Sequence, residues 1–433
     1  MNTVKTVKLF YIVYTVYTFF VILVSDYKIW YAAVGLGMIW FIFLAFYLGY
    51  VSVKGDVENS EDDYTGKFQE YPLSNISNWR SITYIIHSIL VLASSFMAAR
   101  FYTGRGPSEI IRGLLQSVNS YAIYQGYAKM ANVGAFTLSK IPYVLMLMYC
   151  FTMLIWSTAG ILLTSERKTI IQYIFVGSSI LAVLLFGVAR GTNFEMYIVF
   201  VTVVYAILNK EKKTKRINID NTKKILIVGI IGIVVILTFK SVVEARGFVF
   251  RNQICVEINY DPDKAFSQMF PTITNIGLSF FRYLGWGIFT IGIITDQVVF
   301  GNLTNLVSSL IPAGFTLTHA ETLDSIIRRT IYVGTGWVPD YFAFIDDFGW
   351  IVFIVIVFIM GAIMGSLDKR SYPKLLRSLV GVLIFLEMLS IPVGNFIVVS
   401  TPLLLSALYI FSWYILCKLN LNFSFRIKKR GGW

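Results

Sequence analysis

The chain has 433 residues, 56% of them hydrophobic and only 14% charged, with a formal net charge of +13 and a mean hydropathy of +0.69. Soluble domains carry about a quarter charged residues, so this composition excludes a soluble enzyme. The cations cluster on short loops between apolar runs, which points to membrane topology rather than to nucleic acid.

About 20 apolar residues cross the hydrocarbon core of a bilayer. Runs of that kind predict helices over 8–25, 29–53, 82–99, 141–164, 170–188, 194–208, 225–243, 350–367, 375–392 and 394–417. The expected fold class is therefore an all-α polytopic membrane protein with about ten transmembrane helices. The first run follows Lys5 and Lys8 with no small-residue cleavage site behind it, and reads as a retained helix. The chain divides into 1–243, which holds the first seven helices and an outer segment at 100–140, a large loop over 244–349, and 350–433 with a basic tail. Within the loop, 272–295 and 297–317 are apolar enough to enter the membrane. Parity lets both cross or neither, so twelve spans is the other count, and a re-entrant pair fits equally well.

Lys and Arg favour the cytoplasmic side. With the N-terminus inside, the densest basic loops, 210–224, 369–377 and 418–430, all fall in the cytoplasm. Both termini are then cytoplasmic, and 100–140 and 244–349 face outward. Cys150, Cys255 and Cys417 form neither a metal-ligand spacing nor a disulfide framework.

Six arginines on the outer face run against that charge bias. Arg190 ends a helix in the turn Gly187-Val-Ala-Arg-Gly-Thr-Asn193; Arg246 and Arg251 open the large loop, Arg282 sits in its apolar stretch, and Arg328 and Arg329 lie near its end. A planar guanidinium fork suits bidentate phosphate binding, while pairing with loop carboxylates is the plainer reading. The segment 318–331 is predicted as a short amphipathic helix, with Leu323, Ile326, Ile327 and Ile331 on one face and Glu321, Asp324, Ser325 and Arg328 on the other. Glu321 and Asp324 are candidate bases, although Thr318 and Glu321 also fit a capping box and Asp324 stands four residues from Arg328. His319 is a third candidate, as a proton-handling side chain. Trp286, Trp337 and Tyr341 offer flat faces of the kind that bind sugar rings or sit at headgroups. Within the predicted spans, Glu387 is expected to pair with Lys240 or an arginine, and His87 to make a helix–helix hydrogen bond. The chain has no GxxxxGK[ST] loop, HExxH, Cys/His cluster or GxSxG elbow, so no metal site and no cofactor is predicted.

Three features together, the Gly187-Val-Ala-Arg-Gly191 turn, one large late outer loop, and its exit through Tyr341-Phe-Ala-Phe-Ile-Asp-Asp-Phe-Gly-Trp350, resemble the Wzy O-antigen and capsule repeat-unit polymerases. The resemblance implies a bacterial inner-membrane protein with a GT-C-like fold, acting on its periplasmic side without a metal. Its implied partners are an undecaprenyl-pyrophosphate-linked oligosaccharide, membrane lipids and a chain-length regulator protein. It also implies that outer arginines, here Arg190, Arg282, Arg328 and Arg246, hold the pyrophosphate. An O-antigen ligase and a lipid-linked oligosaccharide flippase are the competing readings.

The topology makes a direct prediction. Single cysteines placed at Asn218 and Asp261 in a cysteine-free background should label from opposite sides in intact cells, the first from the cytoplasm. Labelling of both from one side would overturn the map.

Overall fold

Inside a bilayer every backbone N–H and C=O must find its partner within the chain, and a helix satisfies all but those at its ends. The computed structural model, which describes residues 3–26, 28–54, 81–110, 120–130, 137–163, 169–209, 253–255, 258–271, 273–274, 286–297, 310, 339–369, 372, 374–394 and 396–419, is accordingly almost wholly helical. The helices are α1 (Thr3–Val24), α2 (Ile29–Lys54), α3 (Ser81–Thr103), α4 (Ser120–Met130), α5 (Ile141–Ser157), α6 (Ile170–Arg190) and α7 (Phe194–Asn209). They continue with α8 (Ala265–Met269), α9 (Trp286–Thr295), α10 (Asp340–Lys369), α11 (Lys374–Ser390), α12 (Phe396–Val399) and α13 (Thr401–Lys418). A 3-10 turn, Leu138–Lys140, leads into α5, and a π-helical turn, Thr158–Leu163, continues it.

Among the described residues six helical segments are long and apolar enough to cross a membrane: α1, α2, α3, Leu138–Leu163, α6 and Asp340–Asp368. α7 and α13 are shorter apolar helices. The predicted span 225–243 and the amphipathic helix at 318–331 lie outside the described residues. Two elements differ from expectation. The large loop carries a short antiparallel ribbon, β1 (Gln253–Cys255) with β2 (Ile258–Asn259), in which Gln253 faces Asn259. Helix α10 starts at Asp340, well before the predicted 350, because a helical turn precedes the kink at Gly349 (φ 75°, ψ 165°).

Lipid is as apolar as leucine, so close backbone approach rather than hydrophobic burial brings spans together. The tightest crossing joins α2 to α10. A Cβ at Gly49 would collide with the Phe358 carbonyl, and one at Gly361 with the Phe46 carbonyl. On the same side of α2, a Cβ at Gly35 would stand 2.6 Å from the Ile288 carbonyl of α9. Large side chains such as Leu44, Leu48 and Val51 of α2 and Ile351, Val355 and Ile359 of α10 stay exposed. A helix apolar on every face is the mark of a membrane span. His87 in α3 meets the Tyr149 hydroxyl of α5 at 2.6 Å, the helix–helix contact expected of it.

The large loop is tied to the α1–α2 end of the bundle. Lys264 donates its ammonium to the Ile22 carbonyl at 2.7 Å, and also to the Ser25 carbonyl, which caps the end of α1. Ser25 forms a β-bridge with Tyr260, and Trp30 donates to Asp296 at 2.6 Å.

The α2–α10 crossing should be intolerant of bulk. Gly361→Leu is expected to destabilise the purified protein by about 1–3 kcal/mol through overpacking, read as a lowered midpoint of thermal unfolding in nanodiscs. Gly37→Ala, whose Cβ would meet nothing within 4 Å, should not lower it.

Candidate functional site

The turn that ends α6 is built by its glycines. Gly191 takes the left-handed conformation (φ 65°) after the last turn, where a side chain costs energy and glycine does not. Its N–H donates to the Val188 carbonyl at 3.1 Å, and that of Thr192 to the Gly187 carbonyl at 2.9 Å, the two bonds of a Schellman ending. Space adds a second requirement: a Cβ on Gly191 would stand 2.5 Å from the Tyr121 backbone nitrogen, and one on Gly187 would stand 2.9 Å from Glu195 Cβ. The tight reversal therefore drops Glu195, in the first turn of α7, directly against the end of α6.

Arg190 is held by that arrangement. Its Nη1 donates to Glu195 Oε1 at 2.8 Å, and Thr192 Oγ1 donates to Glu195 Oε2 at 2.7 Å. Glu195 is wholly buried, whereas the Arg190 side chain keeps 25% of its surface. The guanidinium carbon lies 5.0 Å from the Tyr124 ring centre and 5.2 Å from that of Phe186, both within range of cation–π attraction. Tyr102 packs edge-on against Phe186 at 5.8 Å. Arg190 is thus fixed in place with one donor spent on a carboxylate, but its Nε is buried and has no hydrogen-bond partner. An unmet buried donor of this kind costs about 1–3 kcal/mol, and an anionic oxygen would satisfy it.

A second arginine stands beside this turn. Arg105 Nη1 donates to Ser120 Oγ at 2.9 Å and its Nη2 to the Glu109 carbonyl at 2.9 Å. Ser120 and Tyr121 are the residues that crowd Gly191, so Arg105 and Arg190 flank the same start of α4. Arg105 and the start of α4 contribute one wall of the site, and the α6–α7 turn the other. Arg105 was not among the arginines the sequence singled out. Its local cue is the pair of glycines around it: Gly104 has φ 69° and the Gly106 N–H donates to Glu109 Oε2 at 2.6 Å.

The other unusual polar group lies in the core. Asp340, the first residue of α10, is wholly buried, and neither of its carboxyl oxygens has a hydrogen-bond partner. It faces the carboxyl of Glu387 in the last turn of α11, whose Oε1 is also buried without a partner. The backbone brings them together: Tyr341 N–H donates to the Ile391 carbonyl at 3.2 Å, and Ile391 N–H to the Glu387 carbonyl at 3.0 Å. Two tyrosines of α1 cap the carbonyls that α11 leaves free at its end, Tyr11 to Met388 at 2.9 Å and Tyr14 to Leu389 at 3.3 Å. Among the described residues the group that faces Glu387 is thus a second carboxyl, brought there by the entry of α10. Lys240 lies outside the described residues.

Of the predicted site residues, Arg190 lies in the polar cluster just described. Arg246, Arg282, Arg328, His319, Glu321, Asp324 and Trp337 lie outside the described residues, and Trp286 is described only as the first residue of α9. Tyr341 is placed differently from expectation. It is 1% exposed, its hydroxyl meets Thr295 Oγ1 at 2.8 Å, and its ring packs edge-on against Trp350 at 5.0 Å. It therefore joins the loop exit to α9 as a core residue, and offers no ring face to a sugar. Comparison with protein families, characterised proteins and solved structures returns no match to this chain.

Proposed function

We propose that the protein is a Wzy-type polymerase of the bacterial inner membrane, with ten spans or twelve, a GT-C-like fold and both termini in the cytoplasm. On this reading it joins undecaprenyl-pyrophosphate-linked oligosaccharide repeat units into O-antigen or capsular polysaccharide at the periplasmic face. The observation that carries the reading is Arg190, a guanidinium fixed at a span end with a buried, unmet Nε. Arg105 beside it adds a second positive charge, so the site suits an anion held at headgroup depth. Arg246, Arg282 and Arg328 of the large loop are proposed to complete it.

The chemistry asked of these residues is modest. In glycosyl transfer the bond from the anomeric carbon to a phosphate oxygen breaks, and a bond to the acceptor hydroxyl oxygen forms. Arginines stabilise the charge that builds on the leaving pyrophosphate. The acceptor's proton passes to a base, for which His319, Glu321 and Asp324 remain the proposed candidates. Trp337 and Trp286 are proposed to bind sugar rings. A chain-length regulator would act on the same periplasmic face.

One observation favours a second reading. Ionisable groups inside a bundle commonly mark a proton or substrate path, so the Asp340–Glu387 pair fits a lipid-linked oligosaccharide flippase. Deleting the gene separates the readings. A polymerase leaves surface glycan of single repeat units; a flippase leaves repeat units trapped on carrier lipid in the inner leaflet; a ligase leaves long chains on the carrier. Within the polymerase reading, Arg190→Lys keeps the charge but loses the fork. It should cut polymer yield by about one to two decades, from roughly 1.5–3 kcal/mol of lost charged hydrogen bonding, while the protein still accumulates. Normal long chains from Arg190→Lys would make this residue structural.

A further inference from the structure

The Asp340–Glu387 pair supports an inference that does not rest on the proposed transferase activity. Asp340 is 0% exposed and both of its oxygens lack a partner. Among the described residues no cation contacts either carboxyl. The side chains that face the pair from neighbouring helices are neutral hydroxyls: Tyr11 of α1 and Tyr197 of α7 lie nearest Glu387, with Tyr14 next to Tyr197. The Glu387 turn also presents the carbonyl end of α11, which carries partial negative charge. Among the described residues the one positive pole near the pair is the amide end of α10 itself, a partial charge that suits one carboxylate and is too small to hold two. Two ionised carboxylates cannot be held together in such a place, because like charges in contact and out of water repel too strongly.

We infer that Asp340 and Glu387 form a proton-binding site, in which one proton bridges the two carboxyls and holds the entry of α10 against the last turn of α11. The ligand is the proton itself. Binding it turns two facing acceptors into a donor and an acceptor, so a hydrogen bond forms where the unprotonated pair would separate. Releasing it sends the proton to water and leaves two carboxylates opposed. The route is set by exposure: Asp340 is enclosed, whereas Glu387 keeps partial exposure, so the proton enters and leaves at Glu387. Release would push Asp340 away from the 387–391 turn. Asp340 is followed directly by Tyr341, which bonds Ile391 and Thr295, so the site couples proton occupancy to the seating of the large loop's exit on α9 and α11.

Infrared spectroscopy of the full chain in lipid nanodiscs tests this, since a protonated carboxyl has a carbonyl stretch distinct from that of a carboxylate. The spectrum would be followed from about pH 5 to about pH 9, a range in which exposed carboxyls are ionised at the upper end. Wild type should show a protonated-carboxyl band that persists at neutral pH. Asp340→Asn and Glu387→Gln, each a neutral mimic of the protonated side chain, should each remove or shift that band, and the double variant should abolish it. Absence of the band at neutral pH in wild type would overturn the inference whether or not the variants fold. A band unchanged in the double variant would also overturn it, because the proton would then belong to another carboxyl.

Discussion

The constraint on which the rest of the structure depends is the scarcity of hydrogen-bond partners in hydrocarbon. A chain with 14% charged residues folding in a bilayer must satisfy nearly every polar group from within. The described helices do so locally. Thr18 and Ser88 donate back to carbonyls four residues earlier, those of Tyr14 and Tyr84. Between helices, Ser95 of α3 donates to the Ala182 carbonyl of α6 at 2.6 Å, and Thr152 of α5 donates to Ser406 of α13 at 3.1 Å. Against that background, the few groups left unmet carry information. Arg190 Nε and the Asp340 carboxyl are two of them.

They differ in what they lack. Arg190 has a carboxylate partner, two aromatic faces and a tight glycine turn that fixes it, and it lacks only an acceptor for a remaining donor. Under the proposed function, a partner of opposite charge from outside the chain completes it. Among the described residues Asp340 has no cationic side chain near it, and the smallest species that completes its surroundings is a proton. The first arrangement suits the binding of an anionic headgroup and the second a change of protonation. The Tyr11 and Tyr14 hydroxyls from the middle of α1 and the Tyr341 N–H at the entry of α10 all bond the end of α11 at the second site, while the α6–α7 turn and α4 enclose the first.

Much of the helical frame is legible in apolar run length alone. The predicted spans 29–53, 82–99 and 170–188 correspond closely to Ile29–Lys54, Ser81–Thr103 and Ile170–Arg190, because each is bounded by charged or turn-forming residues. The Gly187-Val-Ala-Arg-Gly191 turn is also readable, since glycine directly after a helical arginine is the usual sign of a left-handed ending. Side-chain pairings between distant segments are not. Nothing in residue spacing brings Asp340 to Glu387, and the aromatic character of Tyr341 does not reveal that Trp350 and Thr295 enclose it. Arg105 is not legible in the sequence for a related reason. It lies in a segment too polar to read as a span, and its role depends on Ser120 and Gly191 arriving from elsewhere in the chain.

The central claim of the proposed function is that Arg190, anchored by Glu195 and left with an unmet Nε, helps to bind a pyrophosphate at the membrane surface. Binding of a polyprenyl pyrophosphate to the purified full chain in nanodiscs, measured by native mass spectrometry, tests it most directly. The wild type should bind the lipid, and inorganic pyrophosphate should compete. Arg190→Lys should weaken binding by about tenfold or more, as expected for the loss of a charged hydrogen bond of roughly 1.5–3 kcal/mol. Equal affinity in the wild type and Arg190→Lys would contradict the claim.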